Sequence, residues 1–174
     1  MKEGCIHKNV VEKLSLIQEL IPSKYKFSNL EFEKESLAYW ACSFEINNQK
    51  VIFRKAKTTP SKVGQFVTIW KRNAQEKIEP FCIDDNFNFI IVSVSNESEF
   101  GQFVFPKSVL VANGIVSTKN KEGKRGFRVY PPWVITKSKQ AITTQEWQLK
   151  YFLALKNNSI NRDKAIAFFN LNGN

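Results

Sequence analysis

The residues of this chain best equipped for chemistry are cations set among aromatic rings. Arg54, Lys55 and Lys57 fall on a β-prone run, Lys62 follows in a stretch containing Thr and Pro, and Lys71 and Arg72 adjoin Trp70. A second group, Lys124 and Arg125, sits between Gly123 and Gly126 and is followed by Arg128, Tyr130 and Trp133. Ammonium and guanidinium groups neutralise phosphate oxygens and flat rings stack on bases, so the combination suits a nucleic-acid strand. Between Lys57 and Gly64, the hydroxyls of Thr58 and Thr59 and a flexible backbone add donors for phosphate. Side chains alternate along a strand, which puts Val51, Phe53, Lys55 and Lys57 on one face and Ile52, Arg54 and Ala56 on the other. Trp70 and Trp147 are expected to serve the core, whereas Tyr130 and Trp133, beside Pro131 and Pro132, suit either stacking or packing.

The charge is large and unevenly placed. The 174 residues carry a formal net charge of +10. Residues 51–75 hold six Lys or Arg and no acid, residues 76–100 one base and six acids, and residues 101–140 eight bases with Glu122 as the sole acid. A surplus of this kind implies an anionic partner: nucleic acid, with DNA ahead of RNA, an acidic protein, or a membrane surface. The basic segments read as strands and loops rather than as an amphipathic basic helix, which argues against the membrane.

Composition excludes several other classes. Hydrophobic residues at 43% and charged residues at 24% are ordinary for a globular chain. No apolar run approaches the roughly 20 residues of a membrane span, and the charged start from Met1 to Lys13 has no signal-peptide pattern, so a cytoplasmic protein is expected. Cys5, Cys42 and Cys82 are widely spaced and His7 is the only histidine. Neither a disulfide framework, a structural zinc site nor Ser-His or Cys-His catalysis is expected from that set, and no cofactor is implied. Cys42 reads as a buried packing residue.

The elements that must position these residues follow from periodicity. Val10, Leu14, Ile17 and Ile21 predict an amphipathic helix over about 8–21, stopped by Pro22. A strand over 37–46, a turn at Asn47 and Asn48 and a partner strand over 51–57 make a hairpin. Further strands are expected at 65–72, at 87–94 as a central strand covered on both faces, at 102–105 as a short one, and at 115–117 and 127–130. Pro106 opens a short helix through Leu110, with Gly114 just past its end. Thr143, Thr144 and Glu146 fit a capping box for a helix carrying Trp147, Tyr151 and Leu155 on one stripe, and Ser159 precedes a last helix over about 160–170. The sum is one α/β or α+β domain over 1–174, a mixed β-sheet core at about 37–155 flanked by helices.

Several stretches in fixed order resemble the MepB-like protein family. They are Phe53-Arg54-Lys55-Ala56-Lys57-Thr58-Thr59-Pro60, then residues 62–72 from Lys62 to Arg72, Pro80-Phe81 with Asp84, and residues 101–107. Residues 123–133, from Gly123 to Trp133, and Thr144-Gln145-Glu146-Trp147-Gln148 complete the pattern, which spans roughly 37–152. The resemblance implies a bacterial protein with a restriction-endonuclease-like core and nucleic-acid binding.

Such a nuclease needs two carboxylates to hold Mg²⁺ and a lysine beside the attacking water, seen as an acid on one strand and Asp/Glu-x-Lys on the next. Here Lys57 supplies the lysine, but Lys55 stands where the acid should be, and a cation there repels the metal. The literal Glu122-Gly123-Lys124 lies in a glycine turn with no strand to fix it. Asp84-Asp85 reads first as a turn before the central strand and second as a metal-binding pair. The expectation is therefore a nucleic-acid-binding protein that does not cut. The alternatives are a metal-dependent nuclease using Asp84 or Asp85, and a regulatory module whose basic face meets an acidic protein.

Overall fold

The computed structural model describes residues 3–33, 35–154 and 159–169. In chain order the first elements are helix α1 (Glu3–Gln18) and strands β1 (Phe27–Phe32), β2 (Cys42–Ile46), β3 (Gln49–Lys55), β4 (Lys57–Thr59) and β5 (Lys62–Thr68). There follow β6 (Trp70–Arg72), β7 (Ile78–Pro80), β8 (Phe89–Ser95), β9 (Phe100–Pro106) and helix α2 (Lys107–Ala112). Strand β10 (Gly126–Val129), helix α3 (Lys139–Leu149), β11 (Phe152–Ala154) and helix α4 (Ser159–Phe168) close the sequence.

A six-stranded mixed sheet, ordered β1-β2-β3-β8-β9-β11, forms the centre. Only β3 and β8 run parallel; the remaining neighbours are antiparallel. Asn47 and Asn48 both take left-handed backbone angles, φ 50° and 59°, and make the tight β2–β3 turn. Such turns match the twist of the strands they join, and Asn tolerates that region better than most residues.

Alternation on β3 separates two apolar layers. Val51 and Phe53 join Phe89, Ile91 and Val104 beneath the stripe Val10, Leu14, Ile17 and Ile21 of α1 and its following turn. Ile52 and Ala56 face the other way, with Ile90, Val92, Phe103 and Phe105, toward Val67, Phe127, Val129 and the apolar side of α2. At Lys55 the chain leaves the six-stranded sheet and continues as β4 into a second sheet of three strands, ordered β10-β5-β4. Among the described residues no helix is long and apolar enough to cross a membrane.

The mixed sheet flanked by helices is the architecture the sequence implied, with local departures. Residues 37–39 form a 3-10 turn instead of starting a strand, bounded by Ser36 and Trp40 at φ 56° and 52°. The strand expected at 65–72 is broken at Ile69, whose amide bonds the Arg125 carbonyl at 2.8 Å, so β5 and β6 belong to different sheets. Strand β9 is seven residues long and central rather than short. Residues 115–117 make only an isolated bridge, Cys82 to Ser117. Helix α1 ends at Gln18, and α2 starts at Lys107 with Pro106 as its N-cap. Helix α3 starts a turn earlier than Thr144, because the Ser138 hydroxyl accepts from the Ala141 amide at 3.2 Å and caps it there. Trp147 and Tyr151 do pack on the core, whereas Leu155 and Asn170 lie outside the described residues.

Candidate nucleic-acid interface

The three-stranded sheet brings the two basic segments together. Strand β10 pairs with β5 from Gly126 opposite Thr68 to Val129 opposite Gln65, so residues 54–72 and 124–133 are neighbours. Gln65, Val67, Phe127 and Val129 point inward and are buried. The opposite face carries Phe66, with Lys57 across from it on β4 and Arg128 across from it on β10. The Lys57 ammonium lies 4.6 Å from the ring centre of Tyr39, and Tyr39 meets Phe66 edge-on at 6.4 Å. Two glycines let rings lie against this face. A Cβ on Gly64, which has φ +80°, would stand 2.6 Å from the Tyr130 ring, and one on Gly126 would stand 2.6 Å from the Phe66 ring.

Between β10 and α3 runs a cleft of about 820 Å³, lined by Lys62, Lys124, Arg128, Lys139, Tyr130 and Trp147 among others. No carboxylate among the described residues lines it. Among the described residues Lys62, Lys124 and Lys139 enter no ion pair. Arg128 has a different duty. Its guanidinium donates to the carbonyls of Lys62, Val63 and Gly64 at 3.3, 3.3 and 3.1 Å and to the Thr59 hydroxyl at 2.6 Å. It staples the 59–64 loop to β10 and so places Lys62 at the cleft.

Two glutamines set the opposite wall. Gln148, fully buried, accepts from the Tyr130 amide at 2.8 Å and donates to the Arg128 carbonyl at 2.9 Å, continuing the ladder of β10 with a side chain. One turn earlier, Gln145 donates to the carbonyls of Pro131 and Val134 at 3.1 and 2.8 Å and accepts from Thr136 at 2.9 Å. Spacing of three puts both on one helix face, and their bonds fix α3 against 128–134. Sequence reasoning did not single out Lys139, Gln145 or Gln148 as site residues. A polar residue at 148 on the face that packs inward was the available signal.

The other cations go elsewhere. Arg54 is a correction: with 1% of its side chain exposed it cannot meet a ligand, and it is paired with Glu33 at 2.8 Å and with the Phe53 carbonyl at 2.9 Å. Lys55 stands on the α1 side of the large sheet, 4.0 Å over the Trp40 ring. Lys71 is bonded to Asp85 and lies 3.2 Å from Glu79. Arg72 pairs with Glu35 at 2.5 Å and approaches Glu76 at 3.8 Å. Arg125 pairs with Glu122 at 3.0 Å. Trp133 packs edge-on against Phe152 at 5.8 Å and belongs to the core layer.

Lys71, Arg72, Glu33, Glu35 and Asp85 line a second cleft, of about 520 Å³. Its carboxylates are already matched by cations. Burial pushes the Asp85 carboxyl up, but hydrogen bonds from Lys71 and the Cys82 amide outweigh that and hold it below its ordinary value. The bond to Asp85 correspondingly holds the Lys71 ammonium above its ordinary range, and Glu35 does the same for Arg72. Asp85 also accepts from the Cys82 amide at 2.7 Å while its own amide bonds the Cys82 carbonyl at 3.1 Å, the turn geometry expected for Asp84-Asp85. Among the described residues no three His, Cys, Asp or Glu side chains gather as a metal site would require.

Comparison with known proteins gives a consistent family assignment. A family model described as MepB-like matches residues 33–154. A crystal structure of MepB aligns with a TM-score of 0.72 at 36% identity, covering 76% of this chain and 89% of that one. The structure of a bacterial homing endonuclease aligns with a TM-score of 0.42 at 12% identity, over 81% of this chain and 86% of that one, too low a likeness to assign its fold or activity here. No curated protein matches the chain.

Proposed function

The chain belongs to the MepB-like family, and we propose that it is a nucleic-acid-binding protein of nuclease-like fold that holds DNA, ahead of RNA, by its phosphates in the β10–α3 cleft without cutting it. The observation that supports this reading is the set Lys62, Lys124 and Lys139: three cations converge on one cleft in which, among the described residues, there is no carboxylate. Like charges repel, and gathering them on one wall is costly unless an anion normally sits there. Tyr130 and Trp147 add flat apolar surface to the same cleft, which bases could use. Lys57, opposite the cleft across Phe66, extends the basic face toward Tyr39.

The absence of cleavage is supported by the second cleft. There Lys71 occupies Asp85, Arg72 occupies Glu35 and Arg54 occupies Glu33, each cation standing where a metal would compete for the carboxylate. Mg²⁺ or Mn²⁺ is therefore expected to produce no nicking, and sustained cleavage that disappears in Asp84→Asn would overturn this part.

Binding to single- and double-stranded oligonucleotides, measured against salt, tests the reading. Neutralised phosphates release condensed counterions, so affinity should fall steeply as salt rises. Replacing Lys62, Lys124 and Lys139 together by Ala should weaken every sequence similarly and flatten the log–log salt slope by about two to three units. A flat salt response, or no binding at low salt, would favour an acidic protein as the partner of this face.

A further inference from the structure

The parallel pair β3 and β8 ends in a separate crevice of about 320 Å³ that shares no lining residue with the basic cleft. Parallel strands present their carboxyl ends side by side, and open sheets bind ligands where the chain departs in different directions from those ends. Here β3 runs on into the three-stranded sheet, whereas β8 turns through Asn96 into β9.

Register sets an unusual row at this point. Lys55 stands opposite Ser93 on β8, and Ser93 opposite Gln102 on β9. By alternation all three share the sheet face on which Phe53, Ile91 and Val104 are packed under α1. An apolar file thus becomes polar over its last residues. Gln102 is fully buried, and neither atom of its amide has a partner among the described residues. A buried amide left this way is costly; Gln102 lies one strand behind Ser93 and is not itself among the residues lining the crevice.

Cations converge on the same place. The Lys55 ammonium is held 4.0 Å from the Trp40 ring centre and that of Lys13 4.3 Å from the Phe100 ring centre, and all four residues line the crevice. Trp40 adopts φ 52°, a strained angle for a bulky residue, to stand there. Neither lysine forms an ion pair among the described residues. Glu97 and Glu99 line the crevice as well; Glu99 accepts from the Asn96 side-chain amide at 3.2 Å, and Glu97 is exposed. Burial, then the charges of Lys13 and Lys57, hold the Lys55 ammonium below its ordinary pKa.

We propose that this crevice is an oxyanion site in which Lys55 and Lys13 neutralise a phosphate group and the Ser93 hydroxyl donates to its oxygens. Its volume suits a phosphate with a small attached moiety. A free phosphomonoester and the terminal phosphate of a nucleic-acid strand present the same group.

The test is a titration of the full chain with inorganic phosphate, followed by backbone amide spectra. Saturable shifts are expected at Ser93, Asn96 and Gln102. Lys55→Gln and Lys13→Gln should each weaken phosphate by about tenfold through loss of one charge-assisted contact, and Lys55→Arg should retain it. Lys62→Gln, Lys124→Gln and Lys139→Gln together should leave these shifts unchanged, which separates this site from the nucleic-acid cleft. Non-saturable shifts, shifts confined to the cleft, or phosphate affinity unaltered in both Lys55→Gln and Lys13→Gln would overturn the proposal. The source is read by competition: displacement of phosphate by a 5′-phosphorylated oligonucleotide but not by its 5′-hydroxyl counterpart identifies a strand end, and displacement by glycerol phosphate alone identifies a small phosphomonoester.

Discussion

Arg54 shows how one side chain can carry a function other than the one its charge suggests. Its guanidinium is inside the protein, and Glu33, 38% exposed, is its only anionic partner among the described residues. Glu33→Ala should strand that cation in the interior and cost about 3 kcal/mol, the lower end of the usual range because water can reach the vacated place. Arg54→Met, similar in volume and without a charge, should cost far less, a contrast that urea denaturation would measure. Oligonucleotide affinity should follow neither change. Asp85 gives a second test. Its folded pKa lies below the ordinary 3.8, so the unfolded chain takes up the proton first as pH falls. The stability contributed is complete above 3.8 and is lost as pH drops through the lower folded value. Asp85→Asn should therefore flatten the acid limb of the melting temperature between about pH 5 and pH 2.

At the scale of elements, α3 is the piece that builds the cleft, and its start is open to a direct test. Ser138→Ala removes the hydroxyl that caps the helix and should cost about 1 kcal/mol in thermal or urea unfolding, whereas Thr143→Ala, on the exposed side of the second turn, should change little. The Thr143–Glu146 pattern is a legitimate capping box in isolation. What outweighs it is tertiary: Gln145 and Gln148 must both lie on a formed helix to reach the carbonyls of Pro131, Val134 and Arg128. Elements were legible wherever apolar residues dominate, as in α1 with Val10, Leu14 and Ile17, or in β8. Strand β1 was not, because its four inner residues are exposed and leave no alternation to read, and β11 is only three residues long. For the site, charge counts picked out two basic segments that turn out to be neighbours through the β5–β10 pairing, but not which cations would be spent internally. Arg54 did carry a sign of its fate, since it shares a strand face with Ile52 and Ala56, and both are buried.

Over the whole molecule the segregated charge resolves into two uses. The acidic stretch 76–100 folds back on the first basic segment, where Glu79 and Asp85 take up Lys71 and Glu76 adjoins Arg72. The residual positive potential then falls at Lys62, Lys124 and Lys139 around the cleft, whereas Lys13 and Lys55 share their crevice with Glu97 and Glu99. With a net charge of +10 the folded chain repels itself, so added salt should raise its melting temperature in the absence of ligand, most at low ionic strength where screening is weakest. The Ala variant of the three cleft lysines should show a smaller rise, because part of that repulsion has been removed. Differential scanning fluorimetry across a salt series reads both.

The run from Gln49 to Thr59 belongs to both sheets, as β3 in the large one and β4 in the small one. A hinge between them would have let the cleft open on its own, but the Ala56 amide is bonded to the Ser93 carbonyl at 2.9 Å and closes the junction. The two sheets should therefore lose their amide protection together rather than as separate cooperative units. Hydrogen exchange at Val67 and Phe127 should track that at Ile90 and Ile91, and an anion seated in the cleft should slow exchange as far away as the parallel strands.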